Sequence, residues 1–328
     1  MPAASAGMHV LVIRDTEVIP DPQEPLAALR DREGQLLWID LPDPTAQTMA
    51  QVAGIFALHP LAVEDALKRR QRPKAEEYEG FLFITIHAAR TKGAGGHDVA
   101  LDEIDVFYGP AYVITVHSGT SAALEEARRR LVQTPADLRR SNGYLLYVIL
   151  DAVVDSYFPV LDALDDYIER LEDTLFKRPS PRTLDRLFAS KRALLTLRRI
   201  AAPQRDIMNV LLRHDSRLIG EGLRAYFRDI YDHLLRITEQ IDTHRDLLAG
   251  ALDIYLSLVS NRLNEIVKVL TIITAIFASL AVITGIYGMN FEHPFPPFGW
   301  RYGFYAALGL MVASVAVMLA VFRRLRWL

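Results

Sequence analysis

The sequence has 328 residues, 51% hydrophobic and 23% charged, a mixture that excludes both a disordered chain and one lying wholly in lipid. Its 37 Lys and Arg against 40 Asp and Glu leave a net charge of −3, without the basic field of a nucleic-acid binder, so no nucleic-acid partner is expected. It contains no cysteine, which excludes disulfides, thiolate nucleophiles and Cys-ligated metals.

At about 100–200 residues per domain, the length predicts two domains or one with extensions, and Met1–Gly7 has no pattern of a cleavable signal. Residues 1–140 read as an α/β domain. Short β-rich runs occur at Val10–Ile13, Leu36–Leu41, Phe81–His87, Ile104–Tyr108 and Tyr112–His117. Gly109-Pro110 and the glycine-rich Lys92–Asp98 read as hairpin connections, and Thr45–Phe56 and Leu61–Arg69 carry helical spacing. Residues 141–218 are predicted as an antiparallel helix pair. An acidic helix spans Gly143–Phe176 and is broken by Pro179 and Pro181; a basic one spans Arg182–Arg199 and ends before Pro203. The acid run reads at least as well as a solvated helix face.

Residues 219–288 form one predicted element, because no proline occurs between Pro203 and Pro294. A helix over Leu223–Tyr287 would be about 100 Å long. Its apolar residues fall at Leu223, Phe227, Ile230, Leu234, Ile237, Ile241, Leu248, Ala251, Tyr255 and Leu258, a heptad seam with His244 as its exception. A second seam is small or polar: Asp246, Gly250, Asp253, Ser257, Ser260, Asn264, Val267, Thr271, Thr274, Ala278, Ala281 and Gly285. Close helix packing accounts for small residues within a membrane, but not for Asp253, Ser257, Ser260 and Asn264 continuing the stripe outside it. A water-lined axis does, and several copies in cyclic symmetry could enclose one. Val267, the bulkiest apolar residue of the stripe, and Leu270 beside it are the expected gate, bracketed by Asn264 and Thr274.

Two uncharged runs, Val269–Phe291 and Tyr302–Phe322, hold 23 and 21 residues, enough for a helix to cross a bilayer. The first predicts a span at about 267–288, then an external loop over 289–301, a second span over 302–322 and a basic tail over 323–328. Arg262, Lys268 and the ending Arg323-Arg324-Leu325-Arg326-Trp327 place both termini in the cytoplasm by the positive-inside rule. The expectation is a multi-pass protein of the cell (inner) membrane.

The first span closes on Tyr287-Gly288-Met289-Asn290, followed by Phe291-Glu292. Gly288 is expected to end the helix, where the C-terminal dipole attracts cations, and Asn290 adds a neutral carbonyl oxygen. Its bland alternative is a plain helix cap. Hydrated Mg²⁺ suits such carbonyls, because it gives up water reluctantly and a carboxylate ring would hold it too long. With its topology, this motif resembles the CorA family of divalent-cation transporters. Tyr226-Phe227-Arg228-Asp229, Asp253-Ile254-Tyr255-Leu256 and Ser260–Glu265 are similar to the family's stalk; His59-Pro60-Leu61 with Glu64-Asp65, and Gln71–Lys74 with Tyr78, resemble its cytoplasmic domain more weakly.

The resemblance implies an α+β cytoplasmic domain, an α/β/α sandwich, with a long helical stalk continuing into two transmembrane helices in a funnel-shaped homopentamer. It implies a channel for Mg²⁺ uptake, with Co²⁺ or Ni²⁺ as lesser substrates, and not an enzyme. It also implies that Asp229 faces a neighbouring subunit's acids near Glu79, with His233 on the same face, so that cytosolic Mg²⁺ bound between subunits closes the pore. The sequence departs from the family in leaving Glu292 as the lone loop acid and in placing Gly80 where a second acid often stands. The competing readings are a ZntB-like zinc transporter and a membrane-anchored enzyme or scaffold; for Asp229, an ordinary surface pair with an arginine.

Overall fold

The computed structural model describes residues 7–14, 17–93, 98–134, 141–177, 180–213, 221–289 and 300–327. The chain divides into two units, Met1–Leu252 and Asp253–Leu328.

The first unit is built on strands β1 (His9–Arg14), β2 (Glu17–Pro20), β3 (Gln35–Pro42), β4 (Lys74–Tyr78), β5 (Phe81–Thr91), β6 (Val99–Tyr108) and β7 (Tyr112–His117). They form one sheet in the order β2-β1-β3-β7-β6-β5-β4. Only the β3–β7 pair is parallel. Every residue of β7 and the first nine of β5 are buried, as in strands covered on both faces. One layer is α1 (Leu26–Arg30), α2 (Ala46–Phe56) and α3 (Pro60–Lys68), whose Leu29, Met49, Val52, Phe56, Ala62 and Ala66 pack on Phe81, Phe83, Phe107, Ile114 and Val116. After α4 (Ala122–Gln133), the other layer is α5 (Asn142–Asp155), α6 (Tyr157–Lys177) and α7 (Pro181–Arg213), which pack on β5 and its neighbours. This is the α/β/α sandwich.

Local chemistry sets the boundaries. Thr45 Oγ1 accepts from Thr48 N–H at 3.0 Å to start α2, and Pro60 occupies the first turn of α3, where its missing N–H costs nothing. The hairpin at 92–98 closes with Lys92 N–H donating to Asp98 O at 2.7 Å. The edge strands β2 and β4 lack an apolar run and carry no strand signature in sequence; α4 does carry a helical one, in Ala123, Ala127 and Leu131 spaced by four.

Two sequence expectations change. The acidic helix is two helices, divided at Ser156, whose hydroxyl donates to Val153 O at 2.5 Å and accepts from Ala89 N–H at 2.8 Å. Its first half, α5, is a core element with Asp151 only 7% exposed, so the solvated-face reading fails there. The segment Asn142–Leu175 is apolar and long enough to cross a membrane, but its most apolar stretch is 67% buried inside this unit. The basic helix does not stop before Pro203; α7 runs through it to Arg213. Leu194, Leu197 and Ala201 before the proline and Met208 and Leu211 after it are all buried, and that packing offsets the one backbone bond that Pro203 cannot donate.

One 3-10 turn, Glu221–Leu223, leads into α8 (Arg224–Tyr287), 64 residues without interruption. Phe227, Ile230, Leu234, Ile237, Ile241, Leu248 and Ala251 are all buried. His244, the exception, is buried with them and pairs through Nε2 with Asp165 Oδ1 at 2.9 Å. The second unit holds the rest of α8 and the final helix, α9 (Gly303–Arg324). Beyond α9, Arg326 takes a left-handed conformation (φ 57°), which turns Trp327 back to stack on Phe322 at 5.8 Å.

Candidate functional site

Two groups of residues carry the chemistry. The first is the small and polar face of α8. Asp253, Ser257, Ser260, Asn264, Val267, Thr271, Thr274, Ala278, Ala281 and Gly285 recur at steps of three and four, so they share a face, with Leu270 beside it, and all of them are exposed in the single chain. Thr271 Oγ1 donates to Val267 O at 2.7 Å, which satisfies its proton inside the helix and leaves oxygen lone pairs outward. Val267 on this face and Leu270 beside it, one turn apart, are large apolar side chains, 57% and 61% exposed; Ile266 and Val269 at the same level are exposed to a similar degree.

The helix ends at Tyr287, just before Gly288 as expected, but without the left-handed geometry. Gly288 is not among the glycines with positive φ, and its N–H still donates to Thr284 O at 2.9 Å and lies 3.2 Å from Gly285 O. Met289 N–H then donates to Ile286 O at 3.3 Å, a tightened last turn that caps the carbonyls without a left-handed residue. A Cβ at Gly288 would sit 3.2 Å from Thr284 O, a tight contact with the preceding turn. Tyr287 is half-buried; Asn290 and Glu292 lie outside the described residues.

The second group lies in the first unit, where α4, α5 and α8 meet. Asp229 and His233, on successive turns of α8, face Asp151 and Asp155, on successive turns of α5. One ligand atom each from Asp151, Asp229 and His233 lies within 4.8 Å of the others, spacing that a single cation could bridge. His233 Nε2 is 3.7 Å from Asp229 Oδ1, and its Nδ1 is 3.7 Å from Asp151 Oδ1 and 3.2 Å from Asp155 Oδ1. Tyr147 Oη donates to Asp229 Oδ2 at 3.5 Å. From α4, Arg130 donates to Asp151 Oδ2 at 2.8 Å and to Asp155 Oδ2 at 2.9 Å. Burial first, and then the Asp155 charge beside it, push the Asp151 carboxyl up to about 6 despite Arg130 and His233.

Of the expected regulatory residues, Asp229 and His233 are therefore brought together, whereas Glu79 is exposed at the turn between β4 and β5 and is not part of this cluster. Asp151, Asp155 and Arg130 were not assigned to a site from sequence. The signal in the sequence was two acids spaced by four on the most apolar helix of the domain. The surface-pair reading of Asp229 with an arginine is not borne out among the described contacts, which are Tyr147 and His233.

The chain matches the family described as CorA-like Mg²⁺ transporter protein over residues 33–324. It is 36% identical over 293 residues to the cobalt/magnesium transport protein CorA of Thermotoga maritima, covering 89% of this chain and 83% of that one. The complete structure of the CorA magnesium transporter from Methanocaldococcus jannaschii is similar with a TM-score of 0.83 at 26% identity, over 97% of this chain and 98% of that one. The ZntB cytoplasmic domain from Vibrio parahaemolyticus shares only the fold, with a TM-score of 0.58 at 17% identity over 78% of this chain and 99% of that one.

Proposed function

The chain belongs to the CorA-like Mg²⁺ transporter family, and from that premise we propose that it is a divalent-cation channel for Mg²⁺ uptake, with Co²⁺ and Ni²⁺ as lesser cargo. It works as a funnel-shaped homopentamer in the cell (inner) membrane with both termini cytoplasmic. The observation that carries this reading is the single helix α8. One small and polar face continues from Asp253 to Gly285 within an element apolar enough to cross a bilayer. Five copies around an axis would line a path with hydroxyls, an amide and small side chains, surfaces that a hydrated ion can pass without being held.

The filter is Tyr287, Gly288, Met289 and Asn290, with the Asn290 carbonyls accepting hydrogen bonds from the waters of hydrated Mg²⁺ and Glu292 attracting cations at the mouth. Rings of Val267 and Leu270 close the path by excluding water, and the polar rings of Asn264 and Thr274 receive the ion on either side. Carboxylate, imidazole or thiolate ligands able to strip and hold a bare zinc ion are missing from the sequence between Lys268 and Glu292, which weighs against the ZntB-like alternative. A membrane-anchored scaffold would have no need of the polar stripe.

Cytosolic Mg²⁺ closes the channel by occupying the cluster of Asp229, His233 and Asp151, with Glu79 brought from an adjacent copy. The neutralised acids allow the closed ring to pack, and loss of the ion releases it. The reading is tested by Mg²⁺ uptake into liposomes carrying the purified protein, with Zn²⁺ as competitor. Val267→Ser raises the basal leak, and Asn290→Ala abolishes uptake while assembly persists. Uptake unaltered in both variants would refute the assigned path.

A further inference from the structure

The C-terminal end of α9 gathers three exposed arginines, Arg323, Arg324 and Arg326, and residues 293–328 contain no Asp or Glu. Among the described residues none of the three has a carboxylate partner. We propose, building on the reading of α9 as a span with its C-terminal end in the cytoplasm, that this end is a docking site for the phosphate of an anionic phospholipid, with Trp327 as the apolar anchor beside it.

Three observations support it. The first is depth. The 22 residues of α9 give about 33 Å of helix against a hydrocarbon core of about 30 Å, which brings its charged end to the level of the lipid phosphates. The second is the build of that end. Arg326 N–H donates to Arg323 O at 3.0 Å and Trp327 N–H to Phe322 O at 2.9 Å, the bond pair that closes a helix around a left-handed residue. Glycine fills that position at least cost, yet an arginine holds it at φ 57°. Trp327 lies on Phe322 with 15° between the ring planes. One closed turn thus fixes the backbone of all three arginines beside an aromatic face, where a loose tail would only carry charge. The third is unmatched charge. At the other end of α9, Arg301 lies over the Tyr302 ring at 4.8 Å and has that face as its partner. Here the helix dipole offsets only about half of one charge among three. A guanidinium also presents a planar fork that fits two phosphate oxygens at once, which an ammonium does not.

The test uses the full-length protein with Trp300→Phe, in which Trp327 reports and Trp38, fully buried in its sheet, gives the baseline and checks folding. Vesicles hold equal parts of phosphatidylcholine and phosphatidylglycerol, and the acyl chains of one or the other are brominated to quench Trp327 on contact. Brominated phosphatidylglycerol should quench at least about twice as strongly as brominated phosphatidylcholine. The triple variant Arg323→Gln/Arg324→Gln/Arg326→Gln should abolish this excess. Arg323→Lys/Arg324→Lys/Arg326→Lys, at unchanged charge, should abolish most of it. An excess kept in full by the lysine variant would mean diffuse attraction without a phosphate site. An excess lost from the protein with all three arginines on adding inorganic phosphate at constant ionic strength would make a free anion the occupant. Either result overturns the lipid site. Equal quenching by the two lipids would overturn it as well and leave the span standing. Quenching by neither would place this end away from the bilayer, and span and lipid site would fall together.

Discussion

Replacing Asp105 by asparagine should stabilise the first unit, increasingly so as pH rises. Asp105 lies on β6, 1% exposed, and its Oδ1 accepts from Thr85 Oγ1 at 2.6 Å, a bond that the asparagine carbonyl can keep. Burial, with a further contribution from the Glu103 charge, pushes its carboxyl from 3.8 up to about 7. Nearby His87 cannot compensate, because burial pushes it down to about 4 and keeps it neutral. The folded state therefore holds its proton where the unfolded chain has released it. The contribution of Asp105 to stability is most favourable below pH 3.8 and falls as pH rises to about 7. Each tenfold gain in proton affinity is worth about 1.36 kcal/mol, so the full cost above that point is about 4 kcal/mol. Asp105→Asn abolishes the titration, so its advantage over wild type should grow from near zero at about pH 4 to a few kcal/mol at about pH 8. Urea unfolding followed by Trp38 emission in a Trp300→Phe/Trp327→Phe background reads this unit alone, since Trp38 is fully buried in its sheet. A difference between the two proteins that stays constant across this pH range would refute the reasoning.

Leu234→Ala, at a fully buried position of the apolar seam, should cost about 3 kcal/mol in the same urea titration; a loss below about 1 kcal/mol would mean that the site collapses around the smaller residue. Asp40→Ala should cost about 3 kcal/mol, because His117 and Arg128, 3.1 Å from its two carboxylate oxygens, are left without their shared anion. An unchanged urea midpoint would show that water replaces the carboxylate. Arg130→Met should lower the thermal midpoint in chelator and recover in added Mg²⁺, since an ion can take over the neutralisation of Asp151 and Asp155. The same loss of midpoint with and without the ion would separate Arg130 from the cation cluster.

The sequence by itself determined whatever depends on periodicity and local chemistry. The unbroken α8 follows from a stretch without proline, its buried seam from apolar residues at steps of three and four, and α2 and α3 from Thr45 and Pro60 at their starts. The polar face from Asp253 to Gly285 is equally a matter of spacing, because a helix puts such residues on one side whatever surrounds it. Only the tertiary structure decided what depends on contact between distant segments. Pro203 reads as a helix end until buried leucines on both sides carry α7 through it. The acidic stretch reads as one solvated helix until Ser156 is pinned to β5 and Asp151 turns inward. The acidic cluster joins α4, α5 and α8 across gaps of 21 and 82 residues, from Arg130 to Asp151 and from Tyr147 to Asp229. Periodicity reports how one segment presents its own faces; which faces meet, and which charges are thereby desolvated together, is set by packing over the whole sheet.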